Sequence, residues 1–204
     1  MKRIVSFFFV SMLFFSSYSQ NFGAEVLIGA NFSQVDGDQL GGYNKLGLNA
    51  GIQINRPVNE VWEGAFEIRY SMKGSKKVID PEGPPTFDLK LSYHYVEVPL
   101  LAKYMAVDNF VFYGGPSIGV NVFNERNESG RQSAEEELTL LELGLTLGGT
   151  YFITDKVGFD LRHSYSLSSI RDVPIIINSP TWFGRPGWYN RLFTIGITYK
   201  PSNK

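Results

Sequence analysis

The chain has 204 residues, 19 basic against 20 acidic side chains, and no cysteine. Disulfide frameworks, thiolate metal sites and cysteine nucleophiles are thereby excluded, and a formal net charge of −1 offers no basic surface of the kind that nucleic acids bind. Aromatic residues make up 15% of the chain and glycine contributes 21 residues, which favours alternating strands joined by turns.

The N-terminus has the layout of a secretory signal peptide. Lys2 and Arg3 precede an apolar run over residues 4–15, and residues 16–19 then supply small side chains for cleavage. The run is too short for a membrane-spanning helix. We therefore predict a signal peptide over residues 1–19 and one domain over residues 20–204. No cysteine follows the run, which excludes a lipid-anchored lipoprotein.

Eight segments with alternating apolar and polar residues follow, and each is predicted to be a β-strand. The third has the clearest pattern, because Trp62, Phe66 and Ile68 share one face while polar and charged residues occupy the other. In chain order the predicted strands cover residues 23–32, 46–55, 61–74, 89–104, 110–123, 138–153, 157–167 and 191–200.

The fourth predicted strand contains two irregular positions. Its apolar residues lie at odd positions before His94 and at even positions from Val96 onward, so a β-bulge at His94 or Tyr95 would preserve one apolar face. Pro99 lies in the middle of the strand. Its missing N–H predicts a bulge or a weakened position in the hydrogen-bond ladder.

The connections alternate in length. Those after the second, fourth and sixth strands have about three to five residues, whereas those after the other strands have about a dozen or more, an asymmetry typical of outer-membrane barrels with periplasmic short turns. An even strand number leaves both termini at the periplasmic rim. Residues 124–137 are acidic and predicted to be a solvated, mobile loop. Residues 171–190 are unusually apolar, and the candidates there for binding a partner are Trp182, Phe183 and Trp188.

Alternation identifies two faces of the barrel wall without deciding which is outside. A soluble barrel of the lipocalin type would place the apolar face inside. Eight strands enclose an interior just wide enough for side chains, and eight sets of Trp, Phe, Tyr, Leu and Ile would overfill it. The apolar face is therefore predicted to contact lipid. The predicted fold class is all-β, an eight-stranded antiparallel transmembrane up-and-down β-barrel in the outer membrane, preceded by a cleaved signal peptide.

The polar face then carries charges of both signs into the lumen, where unpaired burial costs several kcal/mol per ion. These charges are Glu25, Glu63, Glu67, Glu97, Glu142 and Asp160 against Arg69, Lys73, Lys103 and Arg162. Six of them are predicted to form a ladder across the lumen, namely Glu67, Arg69, Glu97, Lys103, Asp160 and Arg162. The ladder is interpreted as a structural filling of a narrow barrel or, alternatively, as a polar path for a small solute.

Three segments together resemble the PorT-like family of outer-membrane β-barrels. They are Y-V-E-V-P-L-L-A-K-Y at residues 95–104, Y-G-G-P-S-I-G at residues 113–119 and R-H-S-Y-S-L at residues 162–167. The resemblance spans the mature chain and implies an eight-stranded barrel in the outer membrane. The name-giving member is tied to type IX protein secretion. Many barrels end on an aromatic residue that the insertion machinery recognises, whereas here a short tail follows Tyr199.

An enzymatic role is not expected. His163 falls in the lipid-facing phase with Tyr165, whereas Ser164 falls on the inner face, and a nucleophile and its base must share a face to form a hydrogen bond. His94 is interpreted as marking the bulge. No cofactor and no metal site are predicted.

Two functions therefore remain open. The first is a non-enzymatic outer-membrane barrel with a structural or accessory role in the envelope, linked to protein export through its PorT-like relatives. Its expected partners are outer-membrane lipid, the barrel insertion machinery and an envelope or secretion protein, with no nucleic acid. The alternative is a narrow channel or a receptor for a small solute or partner, which would use the lumen and the loop over residues 171–190.

Overall fold

The computed structural model describes residues 22–77, 88–128, 131–133, 137–172 and 186–201, and the predicted signal peptide lies outside them. Within these ranges no helix is long and apolar enough to cross a membrane. The strands of the described residues are β1 Gly23–Asp36, β2 Lys45–Pro57, β3 Trp62–Lys76, β4 Leu89–Val107, β5 Phe110–Glu128, β6 Arg131–Ser133, β7 Leu141–Phe152, β8 Val157–Ser166 and β9 Tyr189–Tyr199.

Eight of these strands close into an antiparallel barrel. Each barrel strand pairs with the barrel strands before and after it in the chain, and β1 pairs with β9 to close the ring. The short strand β6 pairs only with the last residues of β5, beyond the ring. The predicted eight-stranded up-and-down barrel is confirmed. Closure leaves no open sheet edge in the ring, as a hydrocarbon environment requires.

The apolar face of the barrel wall points outward, as the volume argument predicted. Along β2, the side chains of Leu46 and Ile52 are 61% and 57% exposed, whereas the alternate residues Asn49 and Gln53 are each 3% exposed. The same alternation recurs in the other barrel strands. The wall is therefore coated with apolar groups on its outside and polar groups on its inside, which is the pattern of a barrel surrounded by lipid.

The two rims of the barrel differ. At the short-turn rim, β2 joins β3 through residues 58–61, β4 joins β5 through residues 108–109 and β7 joins β8 through residues 153–156. Trp62 and Tyr104 lie side by side at this rim with ring centroids 4.8 Å apart. The other end is the long-loop rim. Its first connection, residues 37–44, is shorter than predicted because β1 extends to Asp36 and β2 begins at Lys45.

The register of β4 against β5 shifts between His94 and Tyr95, where the bulge was predicted. The extra residue is Val122 on β5, since His94 pairs with Phe123 and Tyr95 with Asn121. The bulge does not turn Leu91 and Tyr93 outward, so the prediction of one continuous apolar face on β4 was wrong. Odd-numbered residues of β4 from Leu91 to Lys103 stay inside, and Leu91 and Tyr93 are buried.

Pro99 weakens the ladder between β3 and β4, as predicted. Pairing runs from Trp62 opposite Tyr104 to Phe66 opposite Leu100, stops opposite Pro99, and resumes at Arg69 opposite Glu97 in the same register. The register survives the gap because the flanking pairs on both sides hold the two strands together.

The segment over residues 124–137, predicted to be a loop, begins as a strand. β5 continues to Glu128. Its last three residues pair with β4 on one side and with β6 on the other. Backbone pairing with β4 and β6 thus extends β5 beyond the apolar belt, although the residues there are polar.

Candidate functional site in the barrel lumen

A buried arginine lies at the centre of the lumen. Arg69 points inward from β3, and its Nε donates to Glu97 Oε2 on β4 at 2.6 Å. Its Nη1 lies 3.7 Å from Glu67 Oε1. Its Nη2 lies 3.4 Å from the hydroxyls of Thr146 on β7 and Ser164 on β8. One guanidinium thus connects two adjacent strands with two strands across the barrel, which its planar fork of donors makes possible.

Ion pairs continue in both directions from Arg69. Glu67 accepts from Arg162 Nη1 at 3.0 Å, and Arg162 Nε donates to Asp160 Oδ1 at 2.9 Å. On the other side, Lys73 bonds to Glu97 and also to Glu142 Oε1, the latter at 2.8 Å. These contacts form one continuous set, the lumen charge network, which consists of Glu67, Arg69, Lys73, Glu97, Glu142, Asp160 and Arg162.

Neutral side chains complete the coordination of the network's carboxylates. Asp160 accepts from the Tyr113 hydroxyl at 2.6 Å and from the Thr150 hydroxyl at 2.8 Å. Glu142 accepts from Ser166 at 2.6 Å and from Asn190 Nδ2 at 2.9 Å. Charges can be buried at tolerable cost when they are both paired and hydrogen-bonded in this way.

A second charged cluster lies at the short-turn rim. Glu25 Oε1 accepts from Lys103 Nζ at 2.9 Å and from Asn55 Nδ2 at 2.6 Å, and Lys200 Nζ lies 3.6 Å away. Gln53 donates to the other carboxylate oxygen at 3.2 Å. Lys103, predicted to belong to the ladder, thus pairs with Glu25 on β1.

Apolar side chains close the lumen at the long-loop rim. A buried cluster, the apolar cap, consists of Val35, Leu91, Tyr93, Tyr95 and Ile170. Leu40, Leu89, Leu138 and Trp188 pack against it. The Lys73 ammonium lies 4.5 Å from the centroid of the Tyr95 ring, so the cap rests directly on the lumen charge network. A cation over an aromatic face is an attractive contact between the two layers.

Glycines on neighbouring strands make room for the aromatic rings inside the barrel. A Cβ at Gly148 would lie 2.6 Å from Tyr113 Cζ, and one at Gly119 would lie 3.2 Å from Tyr95 Cδ1. Small residues opposite large ones allow an eight-stranded interior to be filled without distorting the wall.

Five of the six predicted ladder residues lie in the lumen charge network, and Lys103 lies apart from it. Lys73 and Glu142 complete the network but were not among the six. Their sequence positions place them on the inner face. No sequence signal pairs Lys73 with a carboxylate 69 positions away, because that contact crosses the lumen. Sequence patterning identifies inward charges, and only the closed ring decides which of them meet.

The predicted partner candidates of the apolar loop divide into two groups. Trp188 packs on the apolar cap, forms a backbone bridge with Arg171 and has that guanidinium carbon 4.5 Å from its ring centroid. Trp182 and Phe183 lie outside the described residues.

The two histidines lie on the outer wall. His163 packs against Phe193 with ring centroids 4.7 Å apart and the ring planes tilted by 58°, whereas Ser164 points inward and shares a 2.9 Å hydrogen bond with Thr146. His94 Nδ1 lies 2.5 Å from the Tyr70 hydroxyl. Tyr165 was predicted to face lipid, and this prediction was wrong. Its side chain is buried, with its ring stacked parallel to that of Tyr189. Among the described residues, no cluster of three or more histidine, aspartate or glutamate side chains could hold a metal ion.

Asp38 lies in the connection between β1 and β2, beyond the barrel strands, and its contacts make the stability of the fold depend on pH. It accepts from the Leu40 N–H at 2.8 Å and from the Ser75 hydroxyl. Burial raises the pKa of Asp38 above its usual 3.8, and the two hydrogen bonds offset this only in part. A raised folded-state pKa means that ionised Asp38 costs stability above that pKa, and that the cost disappears as the pH falls to the unfolded value.

Asp38→Asn is therefore expected to raise the melting temperature at neutral pH by about 2 °C, because the amide keeps both contacts without the charge: its oxygen accepts from the Leu40 N–H, and its NH2 group donates to the Ser75 hydroxyl oxygen. The gain should shrink as the pH approaches about 4, where Asp38 itself becomes neutral. Melting curves across this pH range test the prediction, with Asp108→Asn in an exposed turn as the control. A lower melting temperature of Asp38→Asn at neutral pH would contradict it.

Comparison with known proteins finds outer-membrane barrels that resemble this architecture. A family model described as an outer membrane protein beta-barrel domain matches residues 18–172. The structure of Neisserial surface protein A is similar with a TM-score of 0.55 and 18% identity, covering 88% of this chain and 97% of that one. An identity this low supports a shared fold alone.

Two further solved structures show weaker likeness. Ail, the attachment invasion locus protein of Yersinia pestis, has a TM-score of 0.49 and 14% identity over 88% of this chain and 99% of its own. OprG of Pseudomonas aeruginosa has a TM-score of 0.43 and 14% identity over 89% of this chain and 97% of its own. A search of curated protein sequences finds no match.

Proposed function

The chain belongs to the outer membrane protein beta-barrel domain family, and from that premise we propose that it is a non-enzymatic, non-conducting barrel with a structural or accessory role in the envelope. The observation that carries the proposal is the lumen charge network lying directly beneath the apolar cap. A barrel whose interior is filled by its own side chains offers its outer wall and its loops, and not its lumen, for contact with other molecules.

The physical argument concerns the path that an ion would need. Arg69, Glu67 and Lys73 are each at most 2% exposed. Arg69 contacts Glu67 on the same strand, and Lys73 pairs with Glu142 across the lumen. A hydrated ion would have to break these pairs and then cross apolar groups that offer it few hydrogen bonds. Both steps leave charges unpaired in a low-dielectric interior, which is costly.

The positions of the histidines favour a non-enzymatic role. A serine hydrolase needs a histidine within hydrogen-bond reach of a serine nucleophile. His163 and Ser164 lie on opposite faces of β8, and Ser164 bonds inside the lumen. His94 bonds to Tyr70 on the lipid-facing wall.

Electrical recording from planar bilayers tests whether the barrel conducts. The purified protein is expected to insert without producing conductance steps, because its lumen is filled. Insertion is verified separately by the heat-dependent shift in gel mobility that folded barrels show. Steady conductance from verified, inserted protein would contradict the proposal and favour the channel alternative.

The accessory role that the PorT-like resemblance favours is protein export. A strain lacking the protein is then expected to retain cargo proteins that the parent strain secretes, and the intact gene should restore their secretion. Comparison of the two culture supernatants by mass spectrometry provides the measurement. An unchanged set of secreted proteins would confine the role to the envelope itself.

A further inference from the structure

A row of four inward-facing positions crosses the wall at the place where the barrel ring closes. Asn49 on β2 lies opposite Gly29 on β1. Gly29 in turn lies opposite Gly196 on β9, and Gly196 lies opposite Asp160 on β8. β1 and β9 approach each other so closely here that a Cβ at Gly29 would lie 2.5 Å from the backbone oxygen of Ile195. Because the two middle positions have no side chain, the row leaves a recess between Asn49 and Asp160.

The recess is a small cavity that two further side chains help to line. Arg162 on β8 and Thr194 on β9 lie opposite each other, two residues nearer the long-loop rim. The four polar side chains that line the cavity are each at most 3% exposed, so it lies inside the protein. The cavity gives the centre of a water molecule about 10 Å³ of space, which is close to the least that one bound water needs.

Two buried polar atoms of these lining residues have no hydrogen-bond partner among the described residues. Arg162 uses its Nε for Asp160 and its Nη1 for Glu67, which leaves both N–H groups of Nη2 without an acceptor. Asn49 uses its Nδ2 to donate to Asn31 Oδ1 at 3.1 Å, which leaves its own Oδ1 without a donor. Buried polar groups of this kind destabilise a fold unless something binds to them.

We propose that the cavity binds one structural water molecule, held by Arg162 Nη2 and Asn49 Oδ1. A water molecule accepts from the guanidinium and donates to the amide oxygen, so it satisfies both groups at once. Chloride could accept from Arg162, but it cannot donate to Asn49 and would lie beside the Asp160 carboxylate. A metal cation would be repelled by Arg162. The size of the cavity and the chemistry of its two unpartnered atoms therefore select the same ligand.

The bound water joins two hydrogen-bond systems that no described side-chain bond connects. Arg162 belongs to the lumen charge network. Asn49 belongs to a neutral group centred on Asn31, whose Oδ1 also accepts from Thr194 at 2.7 Å and whose Nδ2 donates to Ser71 at 3.0 Å. The water thus links the lumen charge network to polar side chains of β1, β2 and β3, next to the pairing of the first and last strands.

Crystal structures of the detergent-solubilised barrel test the proposal. The wild type is expected to show one water peak in the cavity, within hydrogen-bond distance of Arg162 Nη2 and Asn49 Oδ1. Asn49→Leu replaces the amide by an apolar side chain of similar size and should lose the peak. Asn55→Leu makes the same change on the same face of β2, at the short-turn rim beside Glu25, and should keep it.

Nuclear magnetic resonance of the wild type in micelles gives a second measurement that does not depend on a variant folding. A bound water should give cross-peaks to the backbone protons of Gly29 and Gly196. The proposal is overturned if the wild type lacks either signal, or if an ion or a direct bond between Arg162 and Asn49 takes the place of the water. Retention of the water in Asn49→Leu, or its loss in Asn55→Leu, would also overturn it. If Asn49→Leu does not fold, the two wild-type signals decide alone.

Discussion

Replacing Glu97 by alanine is expected to lower the melting temperature of the detergent-solubilised barrel by about 10 °C, the largest effect of any single charge removal in the lumen. Glu97 is the shared partner of Arg69 and Lys73. Its removal leaves two buried cations without their common counter-charge and opens a small void between β3 and β4. Breaking a buried pair in this way typically costs about 3–5 kcal/mol. Circular dichroism during heating provides the measurement.

Glu60→Ala is the matched control, because Glu60 is exposed in the turn between β2 and β3. It should melt within about 2 °C of wild type. Arg69→Ala should be destabilising like Glu97→Ala, since it leaves the carboxylates of Glu67 and Glu97 short of a partner. Unchanged melting of both Glu97→Ala and Arg69→Ala would show that the lumen charge network does not hold the barrel together.

The second large effect is expected from Gly115→Ala on β5. A Cβ at Gly115 would lie 1.9 Å from the backbone oxygen of Leu100 on β4, an atom that cannot move without disturbing the strand. β4 is already weakened on its other side, opposite Pro99. The variant should lose about 3 kcal/mol of unfolding free energy and form less heat-resistant barrel on refolding.

Gly64→Ala makes the same chemical change at a site with no atoms within 4 Å of the new methyl group. Its stability should equal or slightly exceed that of wild type, because alanine restricts the unfolded chain more than glycine does. Urea titration of the two variants separates a steric cause from a general intolerance of alanine in the wall. Equal losses at Gly64 and Gly115 would argue against a close approach of β4 and β5 as the cause.

The juxtaposition of Lys76 and Lys90 was not foreseen from the sequence, although both lysines are visible there. Lys76 and Lys90 are separated by a connection whose length gives no register. Only the pairing of β3 with β4 places them opposite each other. The same is true of the apolar cap, because Leu91 and Tyr93 follow an alternation that predicts an outward direction once a bulge is assumed.

The sequence by itself determined the architecture and the direction of the wall. A period of two residues decides which side chains share a face, and the volume of an eight-stranded barrel decides that the bulky apolar set cannot be inside. The tertiary structure alone decided which inward groups meet. Arg69 reaches Ser164, 95 positions along the chain, and Lys73 reaches Glu142. Such contacts cross the lumen, and they follow from closure, strand register and tilt, which local patterns do not encode.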